Sequence, residues 1–223
     1  MQHFFMGSYP CYQFQLDDNL IDEVLEIAKE ITYTSLGYPS EQVAGVSLAN
    51  TATTKIGYIG ENYKFQSFYH ENLYKVLQDC SSMVAKQHFK DFDLKICDLW
   101  STKSSFGHYA NSHSHQYSMF SGLLYLTNTT RSQTVFSIPD MFYETWSHFM
   151  GAGMIQQNYE YKVSSEKGKL IMWPGLIKHK ISTHTDKETR YTIAFNTTLD
   201  GVSNLPTSRI QMNITGAENK FYE

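Results

Sequence analysis

Hydrophobic positions along the chain follow two regimes. From Leu20 to Ile31 the apolar residues Leu20, Ile21, Val24, Leu25, Ile27, Ala28 and Ile31 recur at three- and four-residue spacing. That is the stripe of an amphipathic helix. Asp17, Asp18 and Asn19 stand ahead of it with oxygens suited to capping. A second stripe, Leu73, Val76, Leu77, Cys80, Met83 and Val84, predicts a helix from about Phe68 to His88. His70 and His88 sit on or near that helix and read as structural or exposed. From Leu94 onward the texture changes to short apolar or alternating runs separated by turn-like clusters. The runs Leu94–Ser101, Gly107–His113, Phe120–Thr127, Thr134–Ile138, Tyr159–Val163, Lys169–Trp173, His179–Thr183 and Arg190–Thr197 read as strands. Short strands at this spacing predict a β-sandwich, jelly roll or barrel.

The remaining stretches are less regular. Residues 3–14 are aromatic-rich, with Pro10 as a break, and read as an edge strand. Residues 33–68 read as loops with short strands. The connection from Pro139 to Asn158 is long and apolar, and Met141 to Met150 within it reads as a lid or substrate wall. After Gly201 the tail reads as an irregular strand wrapping back. We expect a single domain over 1–223: N-terminal helices and support strands in 1–93, a β core in 94–198 and a C-terminal tail in 199–223.

Composition narrows the function classes. A hydrophobic fraction of 41% with only 18% charged residues supports a packed core rather than disordered arms. The net charge of −4 gives no reason to expect general nucleic-acid binding, which needs clustered cations. The three cysteines, Cys11, Cys80 and Cys97, are odd in number and form no CxxC pair, so a reduced, intracellular thiol state is the simplest reading. The first residues lack a basic segment followed by an apolar one, so no signal peptide is expected. No apolar run approaches the roughly 20 residues of a membrane span. A cytoplasmic location without membrane contact is the expectation.

The candidate chemistry lies in the β region. His113 and His115 are two residues apart, just ahead of the apolar run Phe120 to Leu126. In an extended chain such residues face the same side, about 6–7 Å apart along the backbone, and two imidazoles there can share a metal ion. His179 is the best third ligand, because in KHKISTH the lysines alternate with His179 and Ile181, which turns the histidine inward. His108 could compete but lies further back; His148 and His184 read as exposed or loop residues. In the last strand, Arg190, Thr192, Ala194 and Asn196 share one face, and Tyr191, Ile193, Phe195 and Thr197 the other. An Arg on an inward face is a buried charge, costly unless paired, and its fork geometry suits a carboxylate. Thr192 could add a hydroxyl. An ion pair with an acidic residue of the chain itself would satisfy the same pattern.

The ordered set resembles a known family. His113-Ser-His115 followed by Phe120-Ser-Gly-Leu-Leu-Tyr-Leu126, then Gly168-Lys-Leu-Ile-Met-Trp-Pro174, His179 and Arg190-Tyr-Thr-Ile-Ala-Phe-Asn196, looks like the double-stranded β-helix oxygenases that use Fe(II) and 2-oxoglutarate. It is similar in particular to a mostly uncharacterised group of such oxygenases common in marine bacteria and tailed phages. The resemblance covers roughly residues 95–198. It implies a mainly β fold with flanking helices: a double-stranded β-helix (jelly roll, cupin-like) core preceded by an α-helical N-terminal segment. It also implies Fe(II) held by His113, His115 and His179. Arg190 and Thr192 would bind the distal carboxylate of 2-oxoglutarate, with Tyr125 assisting from a neighbouring strand. The reaction implied is oxidation of a substrate C–H bond with succinate and CO₂ as coproducts. His115 departs from the pattern, since the family's usual residue there is Asp or Glu.

Two other readings fit the same residues. One is a three-His cupin-like dioxygenase or metal hydrolase that ignores 2-oxoglutarate, with Arg190 gripping a substrate carboxylate. The other is a non-enzymatic jelly-roll binding or virion-associated module with structural histidines. The substrate expected under the first reading is a small molecule or a protein side chain. The setting would be the host cytoplasm for a phage-encoded chain, and edge strands could pair two copies into a homodimer.

Overall fold

The computed structural model describes residues 1–7, 9–31, 33–35, 52–53, 70–138, 159–204 and 209–212. Helix α1 spans Asp18–Glu30, and Asp17 caps it by accepting from the backbone N–H groups of Asn19 and Leu20. Helix α2 spans Glu71–His88. His70 is neither idle nor helical there: its side chain caps α2 by accepting from the Leu73 N–H. Ile21, Val24 and Ala28 of α1 are buried, as are Leu73, Leu77, Cys80 and Val84 of α2. The sequence stripes marked all of these positions, but Ile27 and Met83, which they also marked, are exposed.

The strands are β1 (Gln2–Met6), β2 (Tyr9–Gln15), β3 (Thr34–Ser35), β4 (Ala52–Thr53), β5 (Phe92–Ser104), β6 (Ala110–His113), β7 (Phe120–Tyr125), β8 (Thr129–Ile138), β9 (Tyr159–Ser165), β10 (Lys169–Pro174), β11 (Lys178–Ile181), β12 (Arg190–Asn204) and β13 (Arg209–Met212). They form two antiparallel sheets. The larger runs β1-β2-β10-β7-β12-β5-β4-β3, with β13 on the end of β12; the smaller runs β6-β11-β8-β9. Leu123, Tyr125, Ile171, Trp173 and Ala194 of the larger sheet pack with Phe136, Ile138 and Val163 of the smaller. This is the jelly-roll core with flanking helices that the resemblance implies, one of the three architectures the strand pattern leaves open.

Each central strand has two useful faces. Ile193 and Phe195 of β12, Leu124 of β7, and Leu170 and Met172 of β10 point outward and join the buried residues of α1 and α2. The opposite faces look into the space between the sheets. That second face is where Arg190, Thr192 and Asn196 stand, all buried.

Three sequence expectations are corrected by the pairing. Residues 3–14 are not one edge strand broken at Pro10. They are a hairpin turning at Gly7, whose φ of 63° lies in the left-handed region. Only β1 is an edge; β2 is interior, between β1 and β10. Pro10 pairs with Phe5 of β1 and lies beyond the stretch Tyr12–Gln15 that bonds β10, so its missing N–H costs that ladder nothing. The second correction concerns length: β12 continues through Gly201 to Asn204 and then pairs with β13. The third concerns His184: it stands in a loop, as one half of its reading had it, but it is fully buried and not exposed. Its Nε2 lies 2.6 Å from the Glu188 carbonyl, and its backbone N–H donates to the His108 carbonyl. His148 and the segment Met141 to Met150 lie outside the described residues. Among the described residues no helix is long and apolar enough to cross a membrane.

Gly122 shows how tightly the outer layer is packed. It pairs with Phe195 on the neighbouring strand, and a Cβ added at 122 would overlap the Phe195 ring. Gly122→Ala is therefore expected to lower stability by about 1–3 kcal/mol, the usual cost of overpacking. Chemical denaturation of the two proteins measures it.

Candidate metal centre and carboxylate pocket

His113 ends β6, and His179 lies opposite it on β11 in the antiparallel register. Cross-strand neighbours in such pairs come within about 5 Å at Cβ, and the two ring centroids are 4.3 Å apart. His115 is not in the strand. It opens the turn after β6, and its ring comes within 5.2 Å of both other imidazoles. One ligand nitrogen from each of the three histidines lies within 4.8 Å of the others. The HxH pair thus faces one side, but by a strand end followed by a turn rather than by pure extended alternation.

The backbone around the turn is closely engaged. The His115 N–H donates to the Gly175 carbonyl at 2.8 Å, and the Gly175 N–H donates to the Met119 carbonyl at 3.1 Å. A Cβ at 175 would collide with the Ser118 carbonyl oxygen, so this close approach requires glycine.

The donor set fits a divalent cation. His113 Nδ1 lies 2.8 Å from the Asn111 carbonyl, and His179 Nδ1 lies 3.2 Å from the Ile177 carbonyl. A carbonyl only accepts, so each Nδ1 carries the proton and leaves its Nε2 lone pair for a metal. Burial holds His115 down to about 4, and the nearby His113 adds to the effect. Burial, then His113 and His115, hold His179 well below its ordinary value. Neutral imidazoles with free lone pairs at neutral pH are what metal ligation needs.

Arg190 lies along the same cavity of about 340 Å³, which is also bounded by Trp100, Leu123, Trp173 and Thr192. The guanidinium is 1% exposed and has no ion pair among the described residues. Its Nη2 donates to Thr134 Oγ1 at 3.4 Å, its Nε has no partner among the described residues, and its Cζ lies 5.3 Å from the Tyr125 ring centre. Tyr125 donates its hydroxyl to Thr134 Oγ1 at 2.8 Å. Thr192 Oγ1 is 2.5 Å from Thr102 Oγ1. An ion pair within the chain, the alternative the sequence leaves open for Arg190, is thus not found among the described residues. A buried cation facing a cavity with an unsatisfied donor is a receptor for an anion.

Sequence reasoning missed several neighbours. Thr134 is legible only from the alternation along β8. Trp100, 5.9 Å from the His115 ring, and Trp173, 5.0 Å from the His179 ring, carry no local signal. His108 takes no part in the three-His cluster, and its Nδ1 accepts from the Ser105 N–H.

Residues 98–196, which contain all three histidines and Arg190, match the family described as "Putative 2OG-Fe(II) oxygenase". No curated protein matches the sequence. Among solved structures, the chain is similar to a prolyl-4-hydroxylase from Pseudomonas putida, at 12% identity and a TM-score of 0.56 over 86% of this chain and 94% of that one. It is similar to an oxidoreductase of the 2OG-Fe(II) oxygenase family from Burkholderia pseudomallei, at 10% identity and a TM-score of 0.59 over 84% of each chain. It is also similar to the epimerase SnoN of nogalamycin biosynthesis in complex with Fe³⁺ and α-ketoglutarate, at 11% identity and a TM-score of 0.58 over 93% of this chain and 91% of that one. At such identities these likenesses establish the double-stranded β-helix fold.

The depressed histidines set a pH dependence for the metal-free protein. Its unfolded chain takes up protons at His115 and His179 near the ordinary value of 6.5, whereas the folded chain resists them to about 4 at His115. Stability from these groups is full above about 6.5 and is lost as pH falls through the folded values. Urea midpoints measured from pH 7 to pH 4 should fall more steeply in the parent than in His179→Gln.

The segment that matches the 2OG-Fe(II) oxygenase family carries the whole cluster, and the fold is shared with these solved structures over most of the chain.

Proposed function

We propose that His113, His115 and His179 hold Fe(II) and that Arg190, with Thr192 and Tyr125, receives the distal carboxylate of 2-oxoglutarate, for hydroxylase-type oxidation of a substrate C–H bond. The observation that carries this is the buried Arg190, without an ion pair among the described residues, on the same cavity as the three-His cluster. Bound there, Fe(II) and 2-oxoglutarate supply oxygenation of a C–H bond by O₂, with succinate and CO₂ as coproducts.

The chain's own residues have separate tasks. Arg190 neutralises and orients a carboxylate at a fixed distance from the histidines. Tyr125 acts from below, holding Thr134 by its hydroxyl and the guanidinium by its ring face. Thr134 accepts from both Tyr125 and Arg190, so its own hydroxyl proton is left to donate to the bound anion. Trp100, Leu123, Trp173 and Ile181 make the described wall apolar and exclude water from the C–H bond. That wall favours an uncharged group on a small molecule or a protein side chain as the reacting part of the substrate. Grouping with marine bacterial and tailed-phage oxygenases, a cytoplasmic setting and a homodimer are parts of the same proposal.

A second reading rests on one observation: an imidazole, His115, stands where the triad expects a carboxylate. A three-His dioxygenase or hydrolase would use the same cluster without 2-oxoglutarate. Anaerobic titration of the Fe(II)-loaded protein with 2-oxoglutarate separates the two. A saturating visible charge-transfer band supports the oxygenase reading; Fe(II) binding without a band supports the second.

Arg190→Ala is expected to weaken 2-oxoglutarate binding by more than about tenfold, the loss of a charge-assisted contact, while Fe(II) affinity stays at the parent level. Calorimetric titration checks both, and equal 2-oxoglutarate affinity in parent and variant would overturn the assignment. His115→Asp should still bind Fe(II) but with a changed metal-site spectrum; an unchanged spectrum and affinity would make His115 a bystander.

A further inference from the structure

The three histidines are not oriented in the same way. His113 and His179 each have a ring nitrogen fixed by a carbonyl two residues back in sequence. Among the described residues the His115 ring has no hydrogen-bond partner; it has only ring contacts with Trp100, His113 and His179. Its position therefore comes from the turn that carries it. That turn is fastened from below by polar groups that neither the metal nor the carboxylate needs.

Asp98 of β5 pairs with Asn196 of β12 in the sheet register. Asn196 Nδ2 donates to Asp98 Oδ2 at 3.2 Å. Asn196 Oδ1 accepts from Ser121 Oγ at 2.8 Å, and Ser121 Oγ lies 3.3 Å from Ser118 Oγ in the turn. The same Asp98 carboxylate accepts from the Tyr117 hydroxyl, also in the turn. Tyr117 is 59% exposed, so its ring gains little from burial, and its hydroxyl serves to reach inward. The register of β12 shifts between Asn196 and Thr197 at this point, and the Thr197 carbonyl accepts the Met119 N–H at 2.8 Å. Trp100, two residues along β5 from Asp98, supports the His115 ring from the same inner face. One carboxylate thus reaches the turn at Tyr117 and, through two side chains, at Ser118.

We propose that Asp98, acting through Tyr117 and the Asn196–Ser121 relay, is the positioning residue that sets His115 as the third imidazole of the metal site. The proposal rests on His115 being a ligand. With no hydrogen bond to its ring among the described residues, His115 depends on this relay for the orientation that Asn111 and Ile177 give the other two.

Co(II) binding to the whole chain tests it, because the d–d absorption of Co(II) reports ligand number and geometry independently of turnover. Asp98→Ala is expected to weaken Co(II) by about 10- to 100-fold, the usual effect of removing an outer support, and to move the spectrum toward that of His115→Ala. Tyr117→Phe, a surface change that removes one hydrogen bond, should shift both in the same direction by less. The exchanged pair Asp98→Asn with Asn196→Asp restores the network: the new amide at 98 donates to the new carboxylate at 196, which still accepts from Ser121, and its oxygen still accepts from Tyr117. Its affinity and spectrum should return to those of the parent. A merely structural role would change the unfolding midpoint of these variants and leave the spectrum of the folded protein as it was, and that result overturns the proposal. An unrestored exchanged pair overturns it too. Parent-like Co(II) binding by His115→Ala would instead sink the ligand reading of His115, and the proposal with it.

Discussion

The register of β12 between β5 and β7 is the constraint on which the site depends. Hydrogen-bonded on both sides, the strand can slide by one residue only if every side chain changes face. In the observed register Ile193 and Phe195 join the helix-side core, and Arg190, Thr192 and Asn196 face the smaller sheet. The slipped register would place a guanidinium among Leu124, Ile96 and the helices and send Phe195 into the cavity. The outward apolar face therefore holds the chemically costly face in place. A strand with two good partners and a packed back is the support a buried cation needs when no described residue pairs with it.

Charge shapes the centre as much as geometry does. Three imidazoles are neutral ligands, so a divalent ion held by them keeps both positive charges; a carboxylate ligand would cancel one. Arg190 adds a further cation on the same cavity. With a divalent ion on the histidines the pocket would carry positive charge in two places, and a dianion reaching from metal to Arg190 would balance it better than a monoanion. Burial works in the same sense on the histidines: it disfavours their protonated forms and keeps the lone pairs available.

Two kinds of support surround the site. Hydrogen bonds to carbonyls hold His113 and His179 from within their own elements, β6 and the approach to β11. His115, in a turn, is held by groups on β5, β7 and β12 that meet only in the folded sheet. Elements of regular structure position side chains more sharply than turns do, so the turn has the denser polar network beneath it.

Much of this was legible in the chain. The helix stripes at Leu20–Ile31 and Leu73–Val84 and the strand alternation at Arg190–Thr197 depend on local periods of 3.6 and 2, and both periods are written in the sequence. The inward turn of His179 between two lysines follows from the same period. So does the shared face of Arg190 and Thr192. The hairpin of residues 2–15 was misread because Pro10 looks like a break, and only the position of β10 shows that its missing N–H has no ladder to interrupt. The loop position of His184 was legible but its burial was not, because a polar, turn-like neighbourhood says nothing about what packs over it. The convergence of His113, His115 and His179 joins residues 66 positions apart (179 − 113) through a cross-strand pairing that no local pattern encodes. Asp98 and Asn196, 98 positions apart, stayed invisible for the same reason. Local periodicity determined which face each residue takes; long-range strand pairing, decided by tertiary structure alone, determined which faces meet.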